Sequence, residues 1–318
     1  MYNKRIFGAV IVKAINSNYN ADFSGQPRTL PDGTIYATDK AFKYAVKNYL
    51  KDVYPEEKIF YFKRFNGDFV PFSLEEAYAA MFPEHQDTKD KKVVAKDILS
   101  CLDIRLFGAT FAKKGKSNNI AISVHGPVQV NHGVNIWAEN NIYSEQIMSP
   151  FRNPKDKGKN GEEEKAEDKQ ATTLGRQSKL EEGHYLHHFS VNPKNLEEVV
   201  TLAGEGADSL SDGDIQKLKE AMSRGVTWYD SASKSGSENE ALIWITLKEN
   251  SKLVLPNLTQ LVKMNDEKKD GKVILNCLDL KEKISEFKNE FDTIEIDYNR
   301  NSMIIENEPE KCILKDLQ

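Results

Sequence analysis

Cysteine is scarce, with only Cys101, Cys277 and Cys312 in 318 residues, all far apart. An odd, dispersed set excludes a disulfide framework and a C-x-x-C metal site, and suits a reducing compartment, so a cytoplasmic protein is expected. Long hydrophobic runs are absent too. None approaches the roughly 18 residues a membrane helix needs, and no membrane partner is expected. The opening MYNKRIFGAVIVKAIN turns polar without a small-residue cleavage site and reads as a first strand, not a signal peptide. Missing as well are G-x-x-x-x-G-K-S/T, G-x-G-x-x-G, H-E-x-x-H and G-x-S-x-G, the phosphate-loop, dinucleotide, zincin and hydrolase signatures. An enzyme is therefore not expected, nor a cofactor.

What is present is ordinary globular material: 39% hydrophobic, 29% charged and 9% aromatic residues. The net charge of −5 hides an asymmetry. Residues 1–190 carry 27 basic against 24 acidic side chains, and residues 191–318 carry 17 against 25. A phosphate-binding face needs local clusters of lysine and arginine, so it belongs in the N-terminal part.

Ile6 to Ile15 is a β-branched apolar run that reads as a central strand. After a long loop containing Arg28, Thr38 or Asp39 offers an N-cap for a helix through Leu50. On it Lys40, Lys43 and Lys47 form a stripe at spacings of three and four. Residues 55–92 read as an aromatic-rich insertion with a short helix from Leu74 to Phe82. Val94, Ile98, Leu102 and Leu106 predict one helix running into Phe107-Gly108-Ala109. Strands are expected at 120–124, 128–130, 185–192, 241–247, 273–275 and 293–296, and helices at 196–202, 212–222 and 280–287. The stretch 152–173 has 12 charged residues among 22 and nothing bulky to bury, which predicts a flexible excursion. Strand, helix, helix, strand, strand, helix, strand is close to a ferredoxin-like split βαβ arrangement. The expected fold is α+β, a single domain over 1–318 with insertions.

His184, His187 and His188 are the nearest approach to a metal cluster, but on a strand His187 faces away from the other two. No metal is expected there. Glu75-Glu76 and Glu181-Glu182 are sequence neighbours whose side chains diverge, so neither pair makes an acid/base couple. No catalytic residue is assigned. What remains is polar and basic: Arg28, Lys40, Lys43, Lys47, Arg105, Gln129, Asn131, His132, Arg176 and Gln177. These suit phosphate and 2′-hydroxyl contacts, whereas the aromatic signature of base-stacking RNA-recognition sheets is absent.

Several stretches, FGAVIVKAINSN, GQPRTLPDGTIYATDKAFKYAVKNYL, DIRLFGATFA, GPVQVNHGVNIW, TTLGRQSKLEEGHYLHHFSVNP and SASKSGSENEALIWI, together resemble the repeated backbone subunit of type I CRISPR Cascade complexes. This is the Cas-seven family of the repeat-associated (RAMP) superfamily, and the resemblance is strongest to its type I-B branch. It implies an RRM-like palm, a finger insertion at 55–92 and a thumb at 138–182. It implies several copies stacked head to tail along a guide crRNA, other Cascade subunits as partners, and target DNA engaged through the guide. Carried over residue by residue, it makes Arg28, Lys40, Lys43, Arg105, Gln129, Asn131, Arg176 and Gln177 expected guide contacts. Arg105 alternatively caps a helix end or pairs with Asp103. The acidic residues 191–318 would face away from RNA or toward a neighbouring basic surface. A rival reading is a type III-like subunit that cleaves target RNA through a loop carboxylate, here Asp22. A third is guide processing through His132 or His187.

Overall fold

The computed structural model describes residues 1–113, 119–148, 174–265 and 267–317. The stretch 152–173 lies outside the described residues. In chain order the strands are β1 (Ile6–Ser17), β2 (Tyr36–Ala37), β3 (Gly108–Lys113), β4 (Ile120–His125), β5 (Val128–Val130), β6 (Gly133–Asn135), β7 (Ile142–Met148), β8 (Leu174–Val191) and β9 (Ser237–Leu247). β10 (Lys263–Met264), β11 (Val273–Asn276), β12 (Phe291–Tyr298), β13 (Met303–Glu306) and β14 (Ile313–Asp316) follow. The helices are α1 (Asp39–Val53), α2 (Leu74–Met81), α3 (Lys91–Leu99), α4 (Leu102–Phe107), α5 (Lys194–Ala203), α6 (Asp212–Trp228) and α7 (Leu278–Glu286).

β1 is the centre of the main sheet. Ile6, Val10, Val12 and Ala14 pack into one core, and Phe7, Ala9 and Ile11 into another on the opposite face. A strand buried on both faces has no polar side, so its sequence is a run and not an alternation. β8 and β9 flank it antiparallel, and β5 and β6 pair antiparallel with β8. The order β9-β1-β8-β5/β6, with α1 after β1 and α6 before β9, interleaves two βαβ units as the ferredoxin-like arrangement requires. β12 and β14 extend the sheet beyond β9.

Three layers result. α1 and α6 cover the first face through Phe42, Val46 and Tyr49 of α1 and Leu218, Met222 and Val226 of α6. The other face is covered by the small sheet β10-β11-β13, by Leu255, Leu258 and Leu261 ahead of it, and by Leu280 and Ile284 of α7. Thr38 caps α1 by accepting from the Ala41 N–H, and Ser211 opens α6 with a capping box closed by Asp214.

Two elements differ from expectation. The helix expected across 94–106 is two, because the chain pauses at Ser100-Cys101 to let the Leu102 N–H donate to the Lys58 carbonyl at 2.8 Å. The strand expected from 185 starts at Leu174, because its outer half pairs with β7 from Leu180↔Ile142 to Leu174↔Met148. That outer half extends past β1, whose pairing with β8 stops at Ser17↔Leu180. β7 is largely exposed along its length, so this part is a solvated two-stranded ribbon.

Candidate nucleic-acid interface

The spacing of the lysine stripe places Lys40, Lys43 and Lys47 on the side of α1 that faces away from the sheet core. They differ in what holds them. Lys47 donates to the Tyr61 carbonyl at 2.7 Å, and burial draws its pKa down. Lys43 pairs with Asp39 at 3.1 Å. Lys40 is exposed, and no ion pair holds it among the described residues. The three lysines border a groove of about 710 Å³ between α1, residues 60–63, the start of α2 and the start of β3. The floor of that groove is built by Asp103, whose two carboxylate oxygens accept the Phe60 and Tyr61 N–H groups at 2.8 Å each. Gly108 closes its end. At φ +72°, a Cβ there would sit 2.3 Å from the Gly126 nitrogen, so the turns at Phe107-Gly108 and Gly126-Pro127 meet only because both carry glycine.

A second cavity, about 590 Å³, adjoins the first at Asp39 and is bordered by Tyr36, Asn131, His132, Asn257 and Thr259. His132 Nδ1 accepts the Asp39 N–H at 3.3 Å and lies 3.5 Å from the Asp39 carboxylate, and its ring rests against Tyr36. Asn131 is exposed, with its backbone tied to His188 and His187. Gln129 is exposed on β5 and donates to the Gly126 carbonyl at 2.7 Å.

The loop after β1 joins this cluster to a second one. Asn20 accepts from both the N–H and the hydroxyl of Thr38, at 2.9 and 3.0 Å. Farther back, the Asn18 amide donates to the Ser178 carbonyl, and the Tyr19 carbonyl accepts the Lys234 ammonium at 2.7 Å. Gln177 donates to the Ala232 carbonyl, which brings the loops 18–20 and 231–234 to residues 177–178 of β8. Arg176 is exposed on the ribbon, in register with Gln146. Arg28 is half-buried, its guanidinium 6.0 Å from the exposed Phe23 ring and its Nε without a partner.

Sequence reasoning missed Lys234. It lies against the Tyr19 and Tyr229 rings, at 5.1 and 5.8 Å, and burial lowers its pKa to about 8. A lone lysine between serines gives no charge cluster to notice. Arg105 is the opposite case. It is 7% exposed, with its Nη2 3.0 Å from Asp214, its Nε 3.3 Å from the same carboxylate, and its Nη1 on the Leu99 and Ser100 carbonyls. Its partner is not Asp103, and its donors are turned inward.

Nor do the histidines converge. His184 is fully buried between Glu240, 2.5 Å from Nδ1, and Glu182, 3.1 Å from Nε2, whereas His187 contacts Tyr19, Phe42 and the Asn131 carbonyl on the other face. Asp22 uses one oxygen, Oδ1, to accept from the Ser24 N–H and hydroxyl and the Gln26 N–H. The Ser24 hydroxyl bond leads the lowering of its pKa.

The family described as CRISPR-associated protein Cas7 matches residues 4–292. The chain belongs to that family. No curated protein matches it by sequence. A solved chain titled "CRISPR RNA-guided surveillance complex, pre-nicking" has the same fold, with a TM-score of 0.55 at 13% identity over 98% of this chain and 96% of that one. A second, "CRISPR RNA-guided surveillance complex", gives a TM-score of 0.47 at 12% identity over 94% and 95%. In this Cas7-family chain, no described helix is long and apolar enough to cross a membrane.

Proposed function

We propose that this Cas7-family chain is a non-catalytic backbone subunit that holds a crRNA guide, in a complex of the type I-B kind. Copies stack head to tail along the guide, other complex subunits cap the stack, and target DNA pairs with the exposed guide bases. The observation that carries the reading is the run of cationic and polar side chains around the α1 N-terminus, Lys40, Lys43, Asn131 and His132, continued by the loop 18–28 toward Gln177 and Lys234. Such groups hold phosphates and sugars and leave base edges free, which a subunit that must accept any guide sequence requires. Residues 55–92 act as the finger, and residues 138–182, with the β7–β8 ribbon, as the thumb. Arg105, engaged in internal bonds, is left out of the interface.

Head-to-tail contact is a heterologous interface that does not close on itself, so it grows an open filament limited by the guide. Salt dependence of RNA binding tests the interface. Replacing Lys40, Lys43 and Lys234 with glutamine should weaken binding of single-stranded RNA. The slope of log K against log salt should fall by about 0.7 for each phosphate that the replaced lysines had neutralised. An unchanged slope would remove these residues from the interface. The non-catalytic part is tested by incubating the loaded complex with complementary RNA and Mg²⁺. The RNA should stay intact, and regularly spaced cuts that vanish in Asp22→Ala would establish the cleaving alternative.

A further inference from the structure

The hairpin at residues 64–72 holds a phenylalanine where the backbone disfavours one. The Asn66 N–H donates to the Val70 carbonyl at 2.9 Å, and the Asn66 side-chain oxygen accepts from the Asp68 and Val70 N–H groups at 3.0 Å each. The turn fixed in this way puts Phe69 at φ +61°, a left-handed conformation that a bulky side chain rarely adopts. Phe69 is 86% exposed there, and Phe65, Val70 and Pro71 beside it are exposed as well. An apolar tip held out in water by a locked and strained turn marks a docking surface.

The same chain carries a hollow of matching character. Between α3, β4 and α5 lies a groove of about 300 Å³, lined by Ala95, Ile122, Val199 and Leu202, with Leu202 65% exposed. Lys91 and Lys92 border it, both exposed and without an acidic partner among the described residues. The neighbouring Asp90 carboxylate is taken by the Lys92 N–H at 2.8 Å. On the hairpin, the residue before Phe69 is Asp68, exposed and without a basic partner among the described residues.

We propose that Phe69 and Val70 of one copy of this chain seat in the α3–β4–α5 groove of the next copy, with Asp68 meeting Lys91 and Lys92. This rests on the head-to-tail reading and deepens it, since it names both halves of the contact.

Charge and placement choose a second copy as the occupant. The apolar tip and the apolar groove carry unpaired charges of opposite sign, which fixes orientation and register when they meet. They also lie on different elements. Phe72, at the base of the hairpin, lines the α1 groove with Gly108 to Thr110 of β3, whereas the receiving groove is lined by Ala121 to Ser123 of β4. A chain does not fill its own groove, because its own Phe69 is exposed, so the contact is heterologous and repeats from copy to copy. A nucleic acid fits the tip poorly: Asp68 would face its phosphates, and Lys63 is folded back over the Phe65 ring, 4.7 Å from its centroid. One such plug is small beside the roughly 1,200 Å² of a stable interface, so it acts between copies that a guide already holds together.

The test measures binding of the full-length protein to oligouridylates, one too short for a second copy and others long enough for two or for several. Phe69→Ser and Leu202→Glu, both at exposed positions, should each lower cooperativity on the longest RNA about tenfold and leave affinity for the shortest unchanged. An equimolar mixture of the two variants keeps one intact tip and one intact groove. It should regain cooperative binding on the two-copy RNA and not on the longest. Asp68→Lys should weaken cooperativity, and adding Lys91→Glu with Lys92→Glu to the same chain should restore it. If wild-type copies bind cooperatively and both single variants do the same, the proposal falls and the head-to-tail reading stands. If Phe69→Ser weakens binding to the shortest RNA as much as to the longest, the hairpin touches RNA and the proposal is overturned. It is overturned as well if the variants stay cooperative but no longer hold the other subunits of the complex. If the wild-type chain binds RNA without cooperativity, the proposal and the head-to-tail reading fall together.

Discussion

A charge taken out of water is stable only when its hydrogen-bonding capacity is met on the spot, and removing one partner of such a pair typically costs about 3–5 kcal/mol. Arg105 and Asp214 are such a pair. Asp214 also accepts the Ser211 N–H at 3.0 Å, so one carboxylate serves both the guanidinium and the first turn of α6. Asp214→Ala should therefore lower unfolding free energy by about 3 kcal/mol in urea titrations, because Arg105 keeps only the Leu99 and Ser100 carbonyls and the longer contacts to Glu57 and Asp208, at 3.6 and 3.8 Å, and the Ser211 N–H loses its half of the capping box. Arg105→Met with Asp214→Leu should recover part of that loss, because it leaves no unpaired charge, Glu57 keeping Lys217 at 2.5 Å, although the Leu99 and Ser100 carbonyls and the Ser211 N–H each lose a partner. Both the single and the double variant should leave the salt slope of RNA binding unchanged if Arg105 does not touch the guide. Gly8 in β1 is a steric case. A Cβ there would lie 2.3 Å from the Phe189 ring and 2.4 Å from the Ile243 carbonyl. The ring can shift but the backbone of β9 cannot, so Gly8→Ala should cost about 2 kcal/mol, read as a lower denaturant midpoint at constant m.

The elements show how one strand can carry two opposite pH responses. Burial alone would lower the pKa of His184, but hydrogen bonds to Glu182 and Glu240 outweigh it and raise the value above 6.5. Across β8, burial lowers His187 to about 4. The stability His184 contributes is full below its unfolded pKa near 6.5 and is lost as pH rises through the raised folded value. That of His187 is full above 6.5 and is lost as pH falls toward 4. The difference in unfolding free energy between wild type and His184→Gln should therefore shrink from pH 6 to pH 9. The difference for His187→Gln should shrink from pH 7 to pH 4, and a pair of curves with the same sign would contradict the two-faced placement. The sequence allowed that placement to be read, because alternation along a strand is geometric. It also allowed β1 to be read, since a strand buried on both faces is a continuous apolar run, and α1 from its apolar spacing behind Thr38 or Asp39, of which Thr38 is the cap. β7 was not legible, since a ribbon exposed along most of its length has no alternating pattern. The break between α3 and α4 depends on Lys58, more than 40 residues earlier, and the burial of Arg105 depends on Asp214, more than 100 residues later. Of the interface, the α1 stripe was legible as spacing. Lys234 acquires its place only through Tyr19 and Tyr229.

At the scale of the whole molecule, the main sheet is a middle layer, and this decides which part of the chain is dispensable. The α1 groove opens from the layer on one face, while the small sheet β10-β11-β13 and α7 pack on the other. The acidic surplus of residues 191–318 is not mainly behind the sheet: residues 191–250, with α5, α6 and β9, carry 6 basic against 11 acidic side chains and residues 251–318 carry 11 against 14, while α6 lies beside α1 and Asn257 and Thr259 reach the cavity at His132. Removing residues 250–318 would uncover Phe7, Ile11, Leu186, Ile243 and Ile245 together, all of them buried. At about 2 kcal/mol for each large apolar side chain returned to water, the loss is about 10 kcal/mol, comparable with the entire stability of an ordinary domain. The same cut strips β12 from β9 and leaves a long apolar edge open to other chains. This truncation should accumulate as aggregate or bind a hydrophobic dye strongly, even though every residue of the α1 groove is retained. Ending the chain after Asn307 removes β14 and the turn before it, where Ile313 is exposed and Cys312 and Leu314 are only partly buried against the core, and that shorter cut should stay soluble and keep its RNA affinity. A soluble, RNA-binding product of the longer cut would mean that the helical layer and the strands it covers suffice by themselves, and that the C-terminal layer serves assembly and not folding.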